Sequence, residues 1–409
     1  MDTNSNQLDL LAPLARSRNR GRPKRASPPL RLGVAGLFAG IGGVELGLAR
    51  GGHETTLLCE FDLAANAVLE ERFPRLMRHG DVRTLVRVPR ETDLIAAGFP
   101  CQDLSQAGKT AGISGARSGL VGEVFRLLEK QQVPWVLLEN VPFMLQLAKG
   151  EALDVIVAEL ERLGYAWAYR VLDSRAFGVP QRRERVFLLA SRVGDPRDYL
   201  LTDDEGPPEE PDRHGRAFGF YWTEGIRGLG AAIDAVPTLK GGSTIGIPSP
   251  PAILMPDGSI VKPDIRDIER LQGFAVDWTK PAEAVTRKGY RWKLVGNAVT
   301  VDTASWIGRK LANPGHYDSS NDPLLRRRGA WPRAAWGVAG HRHVAHVSAW
   351  PVVTRRKPLA EFLRYEPELL SARATAGFLE RASRGSLRFP DGFLDAVRAH
   401  LARVSSRAA

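Results

Sequence analysis

The sequence predicts an α/β protein built on a doubly wound, mostly parallel sheet. Two patterns carry this prediction. Short apolar runs alternate with stretches of helical periodicity from Leu32 to Ala190. The first apolar run ends in a glycine-rich turn, Phe38-Ala39-Gly40-Ile41-Gly42-Gly43, which opens a helical stretch. A hydrophobic content of 43% over 409 residues is enough for a large core and a smaller second body.

The elements follow in order. Leu32–Leu37 reads as the first strand, with a helix running to about Arg50. Thr55–Cys59 is the second strand and Leu63–Phe73 the helix after it. Asp93–Ala97 is a third strand, Gly119–Gln131 a helix, Trp135–Leu138 a buried strand and Ala152–Leu163 an amphipathic helix. Tyr165–Leu172 and Arg185–Ala190 are strands with no helix between them, which predicts an antiparallel edge. Regularity then fades. Residues 195–215 are rich in Pro, Asp and Glu and read as a linker, and 216–265 hold short β-like pieces among Gly and Pro. Asp264–Gly273, Val299–Leu311, 358–383 and 390–404 are expected helices.

Composition narrows the function classes. No run of eighteen apolar residues exists, so no membrane span is expected. The polar, basic N-terminus has no apolar stretch followed by a cleavage site, so no secretion signal is expected. Cys59 and Cys101 are the two cysteines, too few for a disulfide framework or a cysteine-rich zinc site, and they suit a reducing cytoplasm. His341, His343 and His346 have no cysteine or carboxylate partner at ligand spacing, so no metal site is expected. The net charge of +11 is uneven: residues 1–31 carry +5 and 313–409 carry +8, leaving the middle at −2. Two basic ends on a near-neutral body point to a polyanion, usually nucleic acid. Within the first end, Arg20-Gly21-Arg22-Pro23-Lys24 resembles the minor-groove core of an AT-hook.

Four motifs carry chemistry. The glycine loop allows close approach of a ligand to the backbone, and Glu60, about 20 residues beyond its start, is placed to take ribose hydroxyls. That spacing fits a dinucleotide and S-adenosylmethionine equally. Gly98-Phe99-Pro100-Cys101-Gln102-Asp103-Leu104-Ser105 follows a strand and delivers Cys101, a candidate nucleophile, to the carboxyl end of the sheet. Glu139-Asn140-Val141 puts a carboxyl at the end of an apolar strand, where desolvation raises its pKa toward general-acid use. Gln181-Arg182-Arg183-Glu184-Arg185 offers arginines to clamp an oxygen.

Together with Arg270-Leu271-Gln272-Gly273-Phe274 and Gly296-Asn297-Ala298-Val299, these blocks resemble, in order and spacing, the signature of the DNA (cytosine-5)-methyltransferase family, of prokaryotic or phage type. The resemblance spans Leu32 to about Leu311. It implies a Rossmann-like class I S-adenosylmethionine methyltransferase sheet with a small recognition region and, here, a basic C-terminal extension. It implies Cys101 as the nucleophile at cytosine C6, Glu139 at N3 and Arg183 at O2, with Arg185 in the same catalytic group. Gln102 and Ser105 are expected to fill the space vacated by the flipped base or touch the backbone, Gln181 to contact DNA, and Asn140 to order the catalytic loop. Phe38, Ala39, Gly40, Ile41, Gly42, Gly43, Glu60, Phe61, Asp81, Val82, Leu120, Asn297 and Ala298 are expected to line the S-adenosylmethionine site.

The implied organisation is a basic tail (1–30), a catalytic domain (31–194), a short recognition or linker region (195–265), a return segment beside the first strand (266–312) and a basic extension (313–409). The recognition interval is short, so the extension, with basic residues among Trp331, Trp336 and Trp350, is expected to help hold or choose the DNA. A chain ending near Asn313 keeps every block and is expected to retain a folded core. The implied setting is a cytoplasmic, nucleoid-associated monomer acting on double-stranded DNA, in restriction–modification alongside a separate nuclease or as a solitary methylase. A tRNA-methylating branch shares these blocks and is the alternative. A nicotinamide oxidoreductase would leave the Pro-Cys-Gln and Glu-Asn-Val blocks without a task. A noncatalytic DNA-binding protein would not need Cys101, Glu139 and Arg183.

Overall fold

The computed structural model describes residues 30–100, 119–226, 228–241, 250–326 and 329–406. Along the chain the strands are β1 (Gly33–Leu37), β2 (Glu54–Cys59), β3 (Met77–His79), β4 (Leu94–Ala97), β5 (Trp135–Asn140), β6 (Ala166–Asp173), β7 (Gln181–Arg182) and β8 (Glu184–Ser191). They continue with β9 (Phe218–Phe220), β10 (Ala232–Ile233), β11 (Val236–Pro237), β12 (Ala252–Leu254), β13 (Ile260–Lys262), β14 (Ala334–Val338), β15 (His341–Val344) and β16 (Glu368–Leu369). The main helices are α1 (Gly43–Arg50), α2 (Leu63–Arg72), α3 (Leu120–Lys130), α4 (Glu151–Arg162), α5 (Ile265–Leu271), α6 (Tyr290–Asn297), α7 (Val301–Ala312), α8 (Ala372–Arg384) and α9 (Phe393–Ser406).

The first nine-stranded sheet has the order β15-β14-β6-β8-β5-β4-β1-β2-β3. Within its parallel half, β1, β2, β4 and β5 follow the predicted alternation as largely buried apolar strands, and β3, which the sequence pattern does not predict, adds a short, partly exposed edge. The antiparallel pair β6–β8 is not an edge. β8 lies between β5 and β6, and β14 pairs with β6 on its outer side. Both strands are buried along nearly their whole length, so each needs a neighbour on either side to satisfy its backbone. The chain supplies the last neighbour from the extension, as the hairpin β14–β15. Trp331, just ahead of that hairpin, packs edge-on against Trp167 and Tyr169 and donates its indole N–H to the Gly150 carbonyl.

The second body is a five-stranded sheet ordered β10-β9-β12-β13-β16 with α8 and α9 against it. Phe218 and Phe220 on β9 meet Phe378 of α8 and Phe393 of α9 at ring separations of 5.1 to 5.3 Å. Buried His400 accepts from Ile260 N at Nδ1, which leaves Nε2 to donate to the Leu370 carbonyl. Residues 216–262 and the last fifty or so residues thus share one core. The basic extension is not a separate unit: its first half completes the first sheet and its second half completes the second. The helix expected over 358–383 is interrupted: a single turn, Leu359–Phe362, ends ahead of Pro367 and α8 starts at Ala372, and Asp267 accepts the intervening Arg364 and Tyr365 N–H groups.

The return segment packs α7 along α1 through a seam of small residues. A Cβ on Gly47 would lie 2.4 Å from that of Ala304, and one on Gly51 would lie 2.5 Å from the Gly308 backbone. Among the described residues no helix is long and apolar enough to cross a membrane.

These contacts change what a shortened chain should do. Ending the chain near Asn313 bares the edge of β6 and the Trp167–Tyr169 surface, so it should give aggregated protein rather than a free catalytic core. Trp331→Ala alone should cost about 3–5 kcal/mol, the usual loss for a buried tryptophan, read as a lower denaturant midpoint.

Candidate active site

The carboxyl end of β1 forms the floor of the site. After Leu37 the chain turns through Phe38 at φ 56, Gly40 at φ 55 and Gly42 at φ 82. A non-glycine residue held left-handed is strained, and a strong local lock is present. Glu60, at the end of β2, accepts Gly40 N at 2.7 Å on Oε2 and the N–H groups of Phe61 and Asp62 on Oε1 at 2.9 and 2.8 Å. Ala39 N donates to the Cys59 carbonyl. Burial raises the Glu60 pKa, and the three N–H donors pull it back.

The loop residues divide by direction. A Cβ on Gly40 would meet nothing within 4 Å, so this backbone faces open space. Gly42 lies against the Phe73 ring, and Gly43 against Phe274 and the Val299 carbonyl. Ile41 is buried in the core, and its carbonyl accepts from the Trp278 indole at 2.9 Å. Ile41 and Gly43 therefore hold the loop from behind.

On the neighbouring side Phe61 is 71% exposed, with the Arg83 guanidinium 5.9 Å from its ring. Arg83 grips both oxygens of Asp81 and holds that carboxyl below the usual range. Val82, expected at the ligand, is buried, and its carbonyl is taken by Arg126. Leu120 opens α3 half-buried against the core. Asn297 is exposed at the end of α6, and Ala298 beside it is buried. An open glycine backbone, an acid at the end of the second strand and an exposed aromatic beside it fit a nucleoside-bearing cofactor. Glu60 Oε1 already accepts two N–H groups, and Oε2, which accepts one, keeps a lone pair for a ribose hydroxyl.

The second half of the site lies where β5 ends and β8 begins. Their antiparallel register pairs Glu139 with Phe187 and Asn140 with Val186, which brings Arg185 beside Glu139. Arg185 Nε is 3.1 Å from Glu139 Oε1, both side chains largely buried. Glu139 Oε2 lies against Gly98, 3.2 Å from where a Cβ would stand. Burial raises Glu139, and the Arg185 and Arg183 charges restrain the rise. Asn140 donates to the Phe99 carbonyl at 3.0 Å and accepts Val141 N, fixing the start of the Gly98-Phe99-Pro100 turn. Cys101, Gln102 and Ser105 lie outside the described residues. Pro142, Arg182, Glu184, Arg185 and Thr238 line an adjoining cleft of about 430 Å³.

Two expected site residues point elsewhere. Arg183 is fully buried and donates to the carbonyls of Leu239, Gly296 and Ala298 at 2.9, 3.1 and 2.6 Å. Both its terminal nitrogens are spent on backbone inside the core, and Arg185 is the arginine that faces Glu139. Gln181 is fully buried and bonded to the Leu271 carbonyl, Gln272 and Leu239 N, so it presents nothing to DNA. Sequence reasoning missed Thr238 and Trp278. Val236-Pro237-Thr238-Leu239 resembles the family's approach to its later blocks without marking Thr238 as a site residue, and Trp278 is marked only by its indole bond to the glycine loop.

The fold and this pairing of a cofactor-shaped loop with a buried carboxyl–arginine pair define a Rossmann-like methyltransferase. The family of C-5 cytosine-specific DNA methylases matches residues 32–215. The type II methyltransferase M2.BsuMI of Bacillus subtilis (strain 168) is 46% identical over 379 residues, covering 89% of this chain and 97% of that protein. The type II methyltransferase M.BsuFI of Bacillus subtilis is 36% identical over 185 residues, covering 45% and 44%. The Dnmt2 methyltransferase structure from S. pombe has a TM-score of 0.50 at 18% identity, covers 68% of this chain and 97% of that one, and shows the shared fold. The chain belongs to the C-5 cytosine-specific DNA methylase family. Its activity is DNA cytosine-5 methylation.

The two arginines should separate experimentally. Arg183→Ala strands the buried Leu239 and Gly296 carbonyls at about 1–3 kcal/mol each, while Ala298 keeps its Gln272 donor, and should unfold the protein or lower its melting temperature sharply. Arg185→Ala should melt much closer to the parent yet lose turnover.

Proposed function

We propose that the protein transfers the methyl group of S-adenosylmethionine to C5 of a cytosine turned out of duplex DNA, as the modification half of a restriction–modification system. The observation that carries this reading is the Glu139–Arg185 pair, set against Gly98 three residues before Cys101. The type II methyltransferases similar to this chain support the setting.

The Cys101 thiolate adds to C6 of the extruded base, and the ring electrons move toward N3 and O2. Glu139, whose hold on a proton burial strengthens, gives a proton to N3. Arg185 holds O2, a role that Arg183 is too deeply engaged to fill. The enamine carbon C5 is then nucleophilic, and the cofactor, when bound, would supply the methyl group as an electrophile on sulfonium sulfur. Loss of the C5 proton to a base, expulsion of the Cys101 thiolate and return of the N3 proton to Glu139 restore the ring and the acid. The open backbone at Gly40, Glu60 and Phe61 hold the cofactor's nucleoside. Asn140 keeps the Cys101 turn in register with Glu139. A base within a duplex exposes neither C6 nor its faces, which requires flipping.

Duplex recognition falls to the second body, residues 216–262 with 359–406, whose Tyr221 hydroxyl donates to Thr238 at the rim of the cleft. The protein acts in the cytoplasm as a monomer, with any partner nuclease working separately.

Cys101→Ala should abolish transfer of labelled methyl groups to duplex DNA while calorimetric S-adenosylmethionine affinity stays within about twofold. Glu139→Gln keeps the shape but not the proton and should slow turnover by about 10²–10⁴. Parent enzyme on a duplex with 5-fluorocytosine at the target should give a denaturation-resistant, cofactor-dependent complex. Equal labelling of tRNA and duplex DNA, or a fully active Cys101→Ala, would overturn the reading. Bisulfite sequencing of DNA from expressing cells reads the context.

A further inference from the structure

Glu45 is a buried acid without a task in the chemistry above. It sits in the first turn of α1, is 2% exposed, and its Oε2 has no hydrogen-bond partner. Its carboxyl is pressed onto β1: a Cβ on Gly36 would stand 2.0 Å from Oε1, so any larger residue there would displace the carboxyl. Gly36 is followed at once by Leu37 and the Phe38–Gly43 loop, so this carboxyl lies directly behind the loop that forms the cofactor floor. Burying an unpaired polar atom is costly, and a chain that needed only packing would place leucine here.

No cation among the described residues is paired with Glu45. β1 offers no ionisable side chain. From β2 and its end come Cys59 and Glu60, and the Glu60 charge is felt at Glu45 as repulsion. From α7 come Asp302, paired with Arg50, then Arg309, and Lys310, paired with Asp203. Two acids, Glu45 and Glu60, thus flank the glycine loop with nothing positive between them.

We propose that Glu45 is the buried counter-charge for the cationic end of the methyl donor, making the site hold the sulfonium-bearing donor in preference to the neutral thioether left after transfer. This rests on the S-adenosylmethionine reading above. Burial, opposed by its own backbone N–H and reinforced by Glu60, pushes Glu45 up to about 7. Near neutral pH the empty site therefore holds a partly protonated Glu45. A cation arriving above the loop favours the carboxylate, and the proton leaves to solvent. When the sulfur becomes neutral, Glu45 recovers a proton and its hold on the spent cofactor weakens. By linkage the preference is smallest below about pH 5.5, where Glu45 stays protonated, and rises to a plateau above about pH 8.

The test is calorimetry of the full chain with S-adenosylmethionine and S-adenosylhomocysteine, in buffers of differing ionisation enthalpy. Near pH 7 the parent should release a larger fraction of a proton with the charged ligand than with the thioether. Glu45→Gln, close to isosteric, should weaken the charged ligand about tenfold, within the usual range of a coupling between sites, and change the thioether by less than twofold. Equal proton release for both ligands in the parent, a measurement that needs no variant, would overturn the proposal. So would an equal loss of both affinities in Glu45→Gln. A parent that binds neither ligand would overturn the cofactor reading, and this proposal with it.

Discussion

One guanidinium holds three distant parts of this chain in register. Arg183 enters from the turn before β8, and its donors end on carbonyls of the strand returning from the second body (Leu239) and of the return segment (Gly296, Ala298). A buried arginine is costly unless its hydrogen bonds are met, and here both terminal nitrogens are met by backbone from distant segments while Nε is left without a partner. Gly296 matches this convergence: a Cβ there would lie 2.3 Å from the Lys240 carbonyl carbon. The cleft wall at Thr238, the exposed Asn297 and the Arg185–Glu139 pair all hang on that junction. Arg183 is central to the site because it ties these segments together.

Much of this architecture could be read from residue order. The alternation from β1 to β5, the left-handed glycine loop and Glu60 twenty positions beyond it follow from local pattern, since strand burial and turn chemistry are short-range. The interior position of β8 was not legible. Two apolar strands without a helix between them read as an edge, and their outer partner lies some 160 residues later, in a basic segment with one modest apolar run, Ala334–Val338. The Arg183 and Arg185 roles were not separable either. They stand two residues apart, and which one meets Glu139 depends on the register of β8 against β5. Gln181 shows the same limit, since an amide in a polar run carries no mark of full burial.

The uneven charge of the sequence has a structural reading too. The extension is basic on its surface, yet its Trp331, Phe378, Phe393 and His400 are core residues of two different sheets. Charge pattern and packing pattern are superimposed on one stretch of chain. Composition alone registers the first and hides the second.

The placement of those core residues also bears on how the protein comes off the ribosome. The glycine loop, Glu60 and Glu139 all emerge early, but the β6 edge stays bare until Ala334–Val338 follows, and β13 lacks its outer partner until Glu368–Leu369 arrives. Ile260 N finds its acceptor only when His400 is made. A nascent or prematurely terminated chain therefore carries most of the reactive groups on an unfinished scaffold, with open strand edges exposed to proteases and chaperones. Competence arrives late and nearly all at once, with the last helix.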